Sequence, residues 1–177
     1  VGLDSSEAGI PPSNFARVYE AARNEGFITV AHAGEEGPAA YVTDALDILK
    51  VSRVDHGNHA LDDPALVARL VREKTPLTMC PLSNLRLKVI ASMEANPVKT
   101  ALDAGLLVTV NSDDPSYFGG YINANYEAVT DALDLSITDI VTLAKNSFAA
   151  SFLPDEEKQT HIDAVERHAG KFMRSAD

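Results

Sequence analysis

Short apolar runs alternate with helical segments along most of the chain, and this alternation restricts the possible folds more than any other feature of the sequence. The runs with strand character are 1–4, 27–37, 52–60, 75–84 and 106–114. Apolar residues at helical spacing predict helices at 14–26, 39–50, 62–74, 96–105, 123–133, 136–152 and 155–172. Parallel strands need crossover connections, which single helices usually provide. The sequence therefore predicts an α/β fold with a parallel sheet.

Two architectures fit this alternation, an open doubly wound sheet and a (β/α)₈ barrel. An open sheet concentrates its chemistry at one switch point, whereas a barrel brings the carboxyl ends of all its strands to one site. Here every strand ends in polar residues: Asp4 and Glu7, His32 and Glu35, Asp55 and His56, Ser83 and Asn84, and Asp113 and Asp114. We therefore expect a (β/α)₈ TIM barrel. Because only five strands are present, we expect its C-terminal portion, about strands 4–8 with their helices and a C-terminal helical extension.

Length and composition limit the number of domains and the kinds of partner. A chain of 177 residues that is 45% hydrophobic suits one domain, 1–177. The net charge of -11 argues against nucleic acid or an anionic membrane as a partner, but not against a small neutral ligand. Because Cys80 is the single cysteine, an internal disulfide is excluded and a cytoplasmic location is expected. We also expect no membrane span and no signal peptide.

The polar strand ends contain the residue types of a hydrolytic metal site. Taken alone, His32 or any one of the carboxyl groups is better explained by local hydrogen bonding, and Asp63 before Pro64 is best explained as a helix cap. Two histidines and three carboxyl groups at successive strand ends are harder to explain in that way. They match the needs of a mononuclear site in which a metal ion activates water.

Four motifs in matching order resemble the adenosine/adenine deaminase family of the amidohydrolase superfamily. They are HAGEEG (32–37), RVDHG (53–57), CPLSN (80–84) and VTVNSDDPSYFGGY (108–121). The resemblance runs from Val1 to about Leu153. It implies a barrel with one zinc ion per subunit and hydrolytic replacement of the 6-amino group of a purine by oxygen. The unrelated cytidine-type zinc deaminases need cysteine ligands, which a chain with one cysteine cannot provide.

The resemblance also implies a role for each matching residue. His32 and Asp113 would ligate zinc, and Asp113 would accept a hydrogen bond from the zinc-bound hydroxide. Glu35 would protonate the purine N1 while the ring is attacked, which needs a raised pKa. His56 would help to deprotonate the zinc-bound water. Asp114 would bind the purine N7, so that one carboxylate of the Asp113–Asp114 pair faces a cation and the other a substrate proton.

The residues after Asp4 bear on which purine is bound. Nucleoside-directed members of the family have a glycine near the purine N3, and Glu7 stands at that position here. We expect its carboxylate to accept the N9–H of a free base and to exclude ribose, with Gly34 also among the substrate-binding residues. Adenine is therefore favoured over adenosine as the substrate. Two further pairs stay open: Ser83 and Asn84 line the site or form a local turn, and Phe118 and Tyr121 form a lid or pack their loop.

The chain departs from the family pattern in one respect. The family has a His-X-His pair on the first barrel strand that supplies two more zinc ligands, and no such pair occurs in this sequence. We expect about 140 further residues upstream, in three βα units and an entry segment. The isolated chain should then be inactive, with the missing N-terminal half of the barrel as its partner. A non-catalytic half-barrel module is the alternative from another class, and a barrel amidohydrolase acting on a different ring is a minor one.

Overall fold

The computed structural model describes residues 1–173 and contains a five-stranded parallel sheet. The strands are β1 (Gly2–Leu3), β2 (Val30–Ala33), β3 (Arg53–His56), β4 (Leu77–Met79) and β5 (Val108–Val110). They are arranged in chain order, and every neighbouring pair is parallel. The predicted parallel α/β sheet is thus present, with strands shorter than the apolar runs that indicated them. Residues 174–177 of the predicted domain lie outside the described residues.

Helices follow each strand, and most of them match the predicted segments. Their bounds are α1 Ala16–Asn24, α2 Ala39–Asp44, α3 Pro64–Glu73, α4 Pro81–Arg86, α5 Val98–Asp103, α6 Pro115–Phe118, α7 Ile122–Leu133, α8 Ile137–Ala149 and α9 Asp155–Met173. Short 3₁₀ turns lie at Pro12–Phe15, Asn58–Asp62 and Met93–Ala95, and a π-helical turn, Ala45–Leu49, continues α2. None of the described helices is long and apolar enough to cross a membrane.

Two helices were not predicted, α4 and α6. Each begins with a proline in its first turn directly after a strand and its loop. Proline is well tolerated there because the first amides of a helix have no intrahelical partner. Since the preceding apolar run was assigned as strand up to its polar end, the helix start was missed, and a local turn at Ser83 and Asn84 was the wrong alternative. Both residues lie in α4.

Side-chain caps fix the start of two helices, and the cap at Asp63 was predicted from the sequence. The Asp63 carboxylate accepts hydrogen bonds from the amides of Ala65 and Leu66 at 2.9 and 3.2 Å, which confirms its structural role. Ser136 and Asp139 form a reciprocal capping box at the start of α8. These side chains provide partners for backbone amides that have none within the helix.

The core lies between the sheet and the helices. Ala31, Val54, Leu77 and Val108 are fully buried in the four strands β2 to β5. Helix α1 is tied to the sheet by Tyr19, whose buried hydroxyl donates to the carbonyl of Val30 at 2.6 Å. Within the described residues, no further strand pairs with the outer edge of β1 or of β5. Each of these two edges therefore still presents unpaired backbone groups to an additional strand.

Candidate metal-dependent active site

The predicted site residues lie together at the carboxyl ends of the strands. His32 is in β2, His56 ends β3, and Asp113 follows β5. In the parallel register Ala33 is opposite His56, so these strand ends are level with each other. They border a cavity of about 430 Å³. Its lining consists of Asp4, Ser5, Ser6, His32, Glu35, Glu36, Leu87, Asp113, Asp114 and Phe118.

His56 occupies the centre of the site. Its side chain is 2% exposed, with Nδ1 3.3 Å from Glu35 Oε1 and Nε2 3.9 Å from Asp113 Oδ2. Its ring meets that of His32 edge-on, with centroids 4.5 Å apart. Burial, followed by the nearby His32, lowers the pKa of His56 well below its usual value. The imidazole is therefore neutral at physiological pH and can accept a proton.

The pKa of Glu35 is shifted in the opposite direction from that of His56. Burial first, then the charge of Asp113 and other carboxylates, raises the pKa of Glu35 from 4.5 to about 7. The amide Nδ2 of Asn84 donates to Glu35 Oε1 at 3.0 Å and lies 3.4 Å from His56 Nδ1. The hydrogen bond accepted by Oε1 favours Oε2 as the oxygen that carries a proton on the Glu35 carboxyl group.

Asn84 was considered from the sequence but was not among the predicted site residues. It is fully buried and contacts both Glu35 and His56 from helix α4. The useful signal was the proline at the start of the CPLSN motif. If Pro81 is taken as the start of a helix, Asn84 lies one turn later in that helix, where its side chain contacts Glu35 and His56.

Two residues of the site have strained backbones. His56 and Asp113 have φ angles of 63° and 54°, in the left-handed region that non-glycine residues rarely adopt. Such conformations typically cost about 1–3 kcal/mol and persist where the surrounding structure holds them. Asp113 lines the cavity, and His56 lies behind it in contact with Glu35 and Asp113.

His32 and Asp113 carry donor types that zinc accepts, and they belong to two different clusters of potential ligands. In the first, donor atoms of His32, Glu35 and His56 lie within 4.8 Å of one another. His32 Nδ1 is buried and has no hydrogen-bond partner within the described part of the chain. Imidazole nitrogen and carboxylate oxygen are ordinary zinc ligands. Donor atoms of His56, Cys80 and Asp113 also lie within 4.8 Å of one another. Burial raises the pKa of the Cys80 thiol, however, so that it stays protonated and is a poor ligand.

Asp114 and the residues after it form another part of the cavity wall. Asp114 is exposed and stands before α6 without a side-chain hydrogen bond to that helix. Its carboxylate is therefore available to a ligand. Phe118 lines the same cavity, whereas Tyr121 is 76% exposed.

Glu7 and Gly34 are held by contacts within the protein. The Glu7 carboxylate is buried and accepts hydrogen bonds from the amides of Glu35 and Gly37 at 3.1 and 2.7 Å. It also borders a second cavity of about 330 Å³, which adjoins the first at His32. The Gly34 carbonyl accepts the amide of His59 at 2.9 Å. Binding of substrate by these two residues stays a prediction.

Comparison with known proteins gives the family. The adenosine deaminase family matches residues 1–168. The chain belongs to this family. The adenine deaminase of Sphingopyxis alaskensis is 63% identical over 169 residues, which are 96% of this chain and 50% of that protein. The adenine deaminase of Caulobacter vibrioides is 61% identical over 169 residues, 96% of this chain and 49% of that protein. This family member thus spans about half the length of the curated relatives it matches.

Two solved structures have the same fold as this chain. The crystal structure of an adenine deaminase from Arthrobacter aurescens has a TM-score of 0.93 and 48% identity, covering 96% of this chain and 52% of that one. A zinc-bound amidohydrolase from Burkholderia ambifaria has a TM-score of 0.91 and 30% identity, covering 99% of this chain and 50% of that one. The predicted fold class, the C-terminal portion of the amidohydrolase barrel, is confirmed.

Proposed function

We propose that the protein containing this chain hydrolyses adenine to hypoxanthine and ammonia, as part of purine salvage in the cytoplasm. The observation that carries the proposal is the pairing of Glu35 and His56 beside the cavity, one carboxyl that holds a proton and one imidazole that can take one. Hydrolytic deamination needs both, because the ring must gain a proton while water loses one. The adenine deaminases at 61–63% identity support adenine as the substrate.

Glu35 supplies the proton to the purine. Its pKa of about 7 leaves a large fraction protonated near neutral pH. The hydrogen bond from Asn84 occupies Oε1 and leaves the proton on Oε2, the oxygen nearer to His32. From there it is donated to N1 of the ring, so that the carbon bearing the amino group becomes tetrahedral without leaving a negative charge on the ring.

His56 receives the proton of the attacking water. In the tautomer that carries its proton on Nδ1, 3.3 Å from Glu35 Oε1, the neutral imidazole has its lone pair on Nε2. This nitrogen lies toward Asp113. The proton is therefore accepted at Nε2, while the contact at Nδ1 keeps the ring in place. His56 then passes this proton to the amino group, which leaves as ammonia when its bond to the ring carbon breaks. The proton of the new hydroxyl group goes to the Glu35 carboxylate, which restores its protonated form and leaves a carbonyl on the ring.

His32 and Asp113 would hold one zinc ion. When bound, such an ion lowers the pKa of water from about 15.7 to about 7 and so supplies the nucleophile. Two protein ligands are fewer than the three that catalytic zinc sites usually have. We therefore propose that the remaining ligands come from the N-terminal half of the barrel, and that residues 1–177 form a single domain with it. The half-length match to the relatives supports this arrangement.

The substrate contacts follow the predictions made from the sequence. Asp114 would accept a hydrogen bond from the N7 side of the purine, Glu7 would interact with N9–H, and Gly34 would lie against the ring. Asp114 has a free carboxylate at the cavity, which supports its assignment. A free base is preferred to a nucleoside because a buried carboxylate at position 7 leaves little room for ribose.

The test uses the complete protein, meaning these 177 residues joined to the segment that supplies the rest of the barrel. The first half of the Sphingopyxis alaskensis relative can provide that segment. With zinc added, ammonia release from adenine should exceed release from adenosine, and the 177 residues alone should release none from either. Equal or greater turnover of adenosine would overturn the substrate, and full activity of the isolated chain would overturn the need for a second half.

A further inference from the structure

Two loops beside the site are joined by a reciprocal pair of carboxylates, which we name the Glu7–Glu36 clasp. In one direction, Glu7 Oε2 accepts the amides of Gly37 and Glu35 at 2.7 and 3.1 Å. In the other, Glu36 Oε2 accepts the hydroxyl of Ser6 and the amide of Glu7 at 3.1 and 3.2 Å. The clasp therefore links the loop after β1 to the loop after β2 that carries Glu35.

The clasp brings three carboxyl groups close together at some cost. Glu7 is only 5% exposed. Burying a carboxylate is unfavourable unless charge-assisted hydrogen bonds replace those it made with water. Backbone amides of residues 35 and 37 provide these bonds. No described lysine or arginine forms an ion pair with Glu7 or Glu36. Among the described residues, these amides are the groups that stabilise the Glu7 carboxylate, and the hydrogen bonds fix their position in return.

Gly37 shows that the approach of the carboxylate is specific. A Cβ atom at this position would overlap the Tyr41 ring and lie 2.8 Å from Glu7 Oε2, in both cases closer than real Cβ contacts come. Glycine lets the backbone come this near to both the Tyr41 ring and the carboxylate. The loop sequence and the Glu7 side chain are therefore adapted to each other.

We propose that Glu7 and Glu36 are positioning residues for Glu35. The clasp holds the amide of residue 35 directly, and Asn84 holds its carboxyl group, so that Glu35 is fixed at both ends before the purine arrives. This inference rests on the proposed function, in which Glu35 is the proton donor. The clasp acts through Glu35 and is separate from the proposed contact of Glu7 with N9–H, so Glu36, which has no proposed contact with substrate, tests it alone.

The experiment compares Glu7→Gln and Glu36→Gln in the complete zinc-loaded protein, with Glu20→Gln on the exposed face of α1 as the control. Hydrogen exchange is followed by mass spectrometry in peptides that span residues 33–40. Two further quantities are measured for each variant: kcat and KM with adenine, and the dissociation constant of purine. Purine keeps N9–H but lacks the 6-amino group. The exchange readout does not depend on activity.

The clasp predicts faster exchange in these peptides and a kcat about 10-fold or more below the parent for both variants, with purine binding by Glu36→Gln changed less than about 3-fold. Unchanged exchange and unchanged kcat in both variants would overturn it. A weaker affinity for purine in Glu7→Gln, with exchange unchanged, would also overturn it and assign Glu7 to N9–H. If the parent fails to deaminate adenine, the proposed function is wrong, and the exchange data still decide whether the clasp orders the loop.

Discussion

Asn84 provides the sharpest single-residue test of how the site is held together. Its Nδ2 donates to Glu35 Oε1 at 3.0 Å, and both residues are buried. Its Oδ1 has no hydrogen-bond partner among the described residues. Replacing Asn84 by Ala therefore removes the hydrogen bond to the carboxyl group that donates the proton, together with the longer 3.4 Å contact to His56 Nδ1.

The size of the effect follows from that one bond. A buried hydrogen bond to a carboxyl group typically contributes about 1–3 kcal/mol. If the bond supports the transition state, kcat/KM for adenine should fall by about 10- to 100-fold, since each 1.36 kcal/mol is about tenfold in rate. The loss should appear mainly in kcat, because the side chain orients Glu35 and is not expected to touch the purine.

Ser83 is the matched control. It is the neighbouring residue in the same helix, it is fully buried, and its Oγ has no hydrogen-bond partner in the described chain. Ser83→Ala should change kcat/KM by less than about 3-fold, since no hydrogen bond is lost. Both variants are assayed by ammonia release, with a thermal unfolding curve to show that they are folded. Equal activity of the two variants would refute the orienting role of Asn84.

Three further predictions concern the metal, the loop and the core. Asp113→Asn should lose bound zinc and activity together, whereas Asp114→Asn should keep zinc and raise KM for adenine. Metal analysis and steady-state kinetics separate the two variants, and equal zinc loss in both would contradict the separate roles of the two carboxylates. Gly34→Ala should lower the unfolding free energy by about 1–3 kcal/mol, because its φ is 71° and the new Cβ would lie 2.7 Å from a methyl group of α2. Gly9→Ala is the control, because its φ is 75° but its Cβ would lie in open space, and it should cost about 1 kcal/mol. Equal losses of unfolding free energy in denaturant titrations would show that the contact with α2 adds nothing to the cost at Gly34. Burial raises the pKa of Tyr19 from 10.0 to about 12, so the folded state retains a proton that the unfolded state loses. Its contribution, up to about 3 kcal/mol, is therefore lost as pH rises through that range, and Tyr19→Phe should lack this pH dependence.

The sequence was enough to place the site in the fold because parallel topology determines where the strands end. Once the strands were assigned in chain order, His32, His56 and Asp113 had to lie at one edge of the sheet, and they do. No detailed loop conformation was needed for that prediction. The absence of a His-X-His pair likewise indicated a partial barrel, which agrees with the half-length match to solved structures.

The contacts that depend on loop conformation could not be predicted in the same way. The bond from Asn84 to Glu35 requires that α4 begins at Pro81, which the apolar run before it concealed. The contacts of Glu7 depend on the backbone amides of residues 35 and 37, and no side-chain pattern reports where such amides point. Sequence patterns indicated which residue types are present, but not which backbone groups they contact.

The most direct test of the account is the position of the metal in the complete protein. We expect anomalous diffraction at the zinc edge to show one peak per subunit, within about 2.0–2.2 Å of a ring nitrogen of His32 and an oxygen of Asp113. A peak at another place, or none in crystals grown with zinc and shown to be active, would contradict the assignment of this end of the sheet as the catalytic centre.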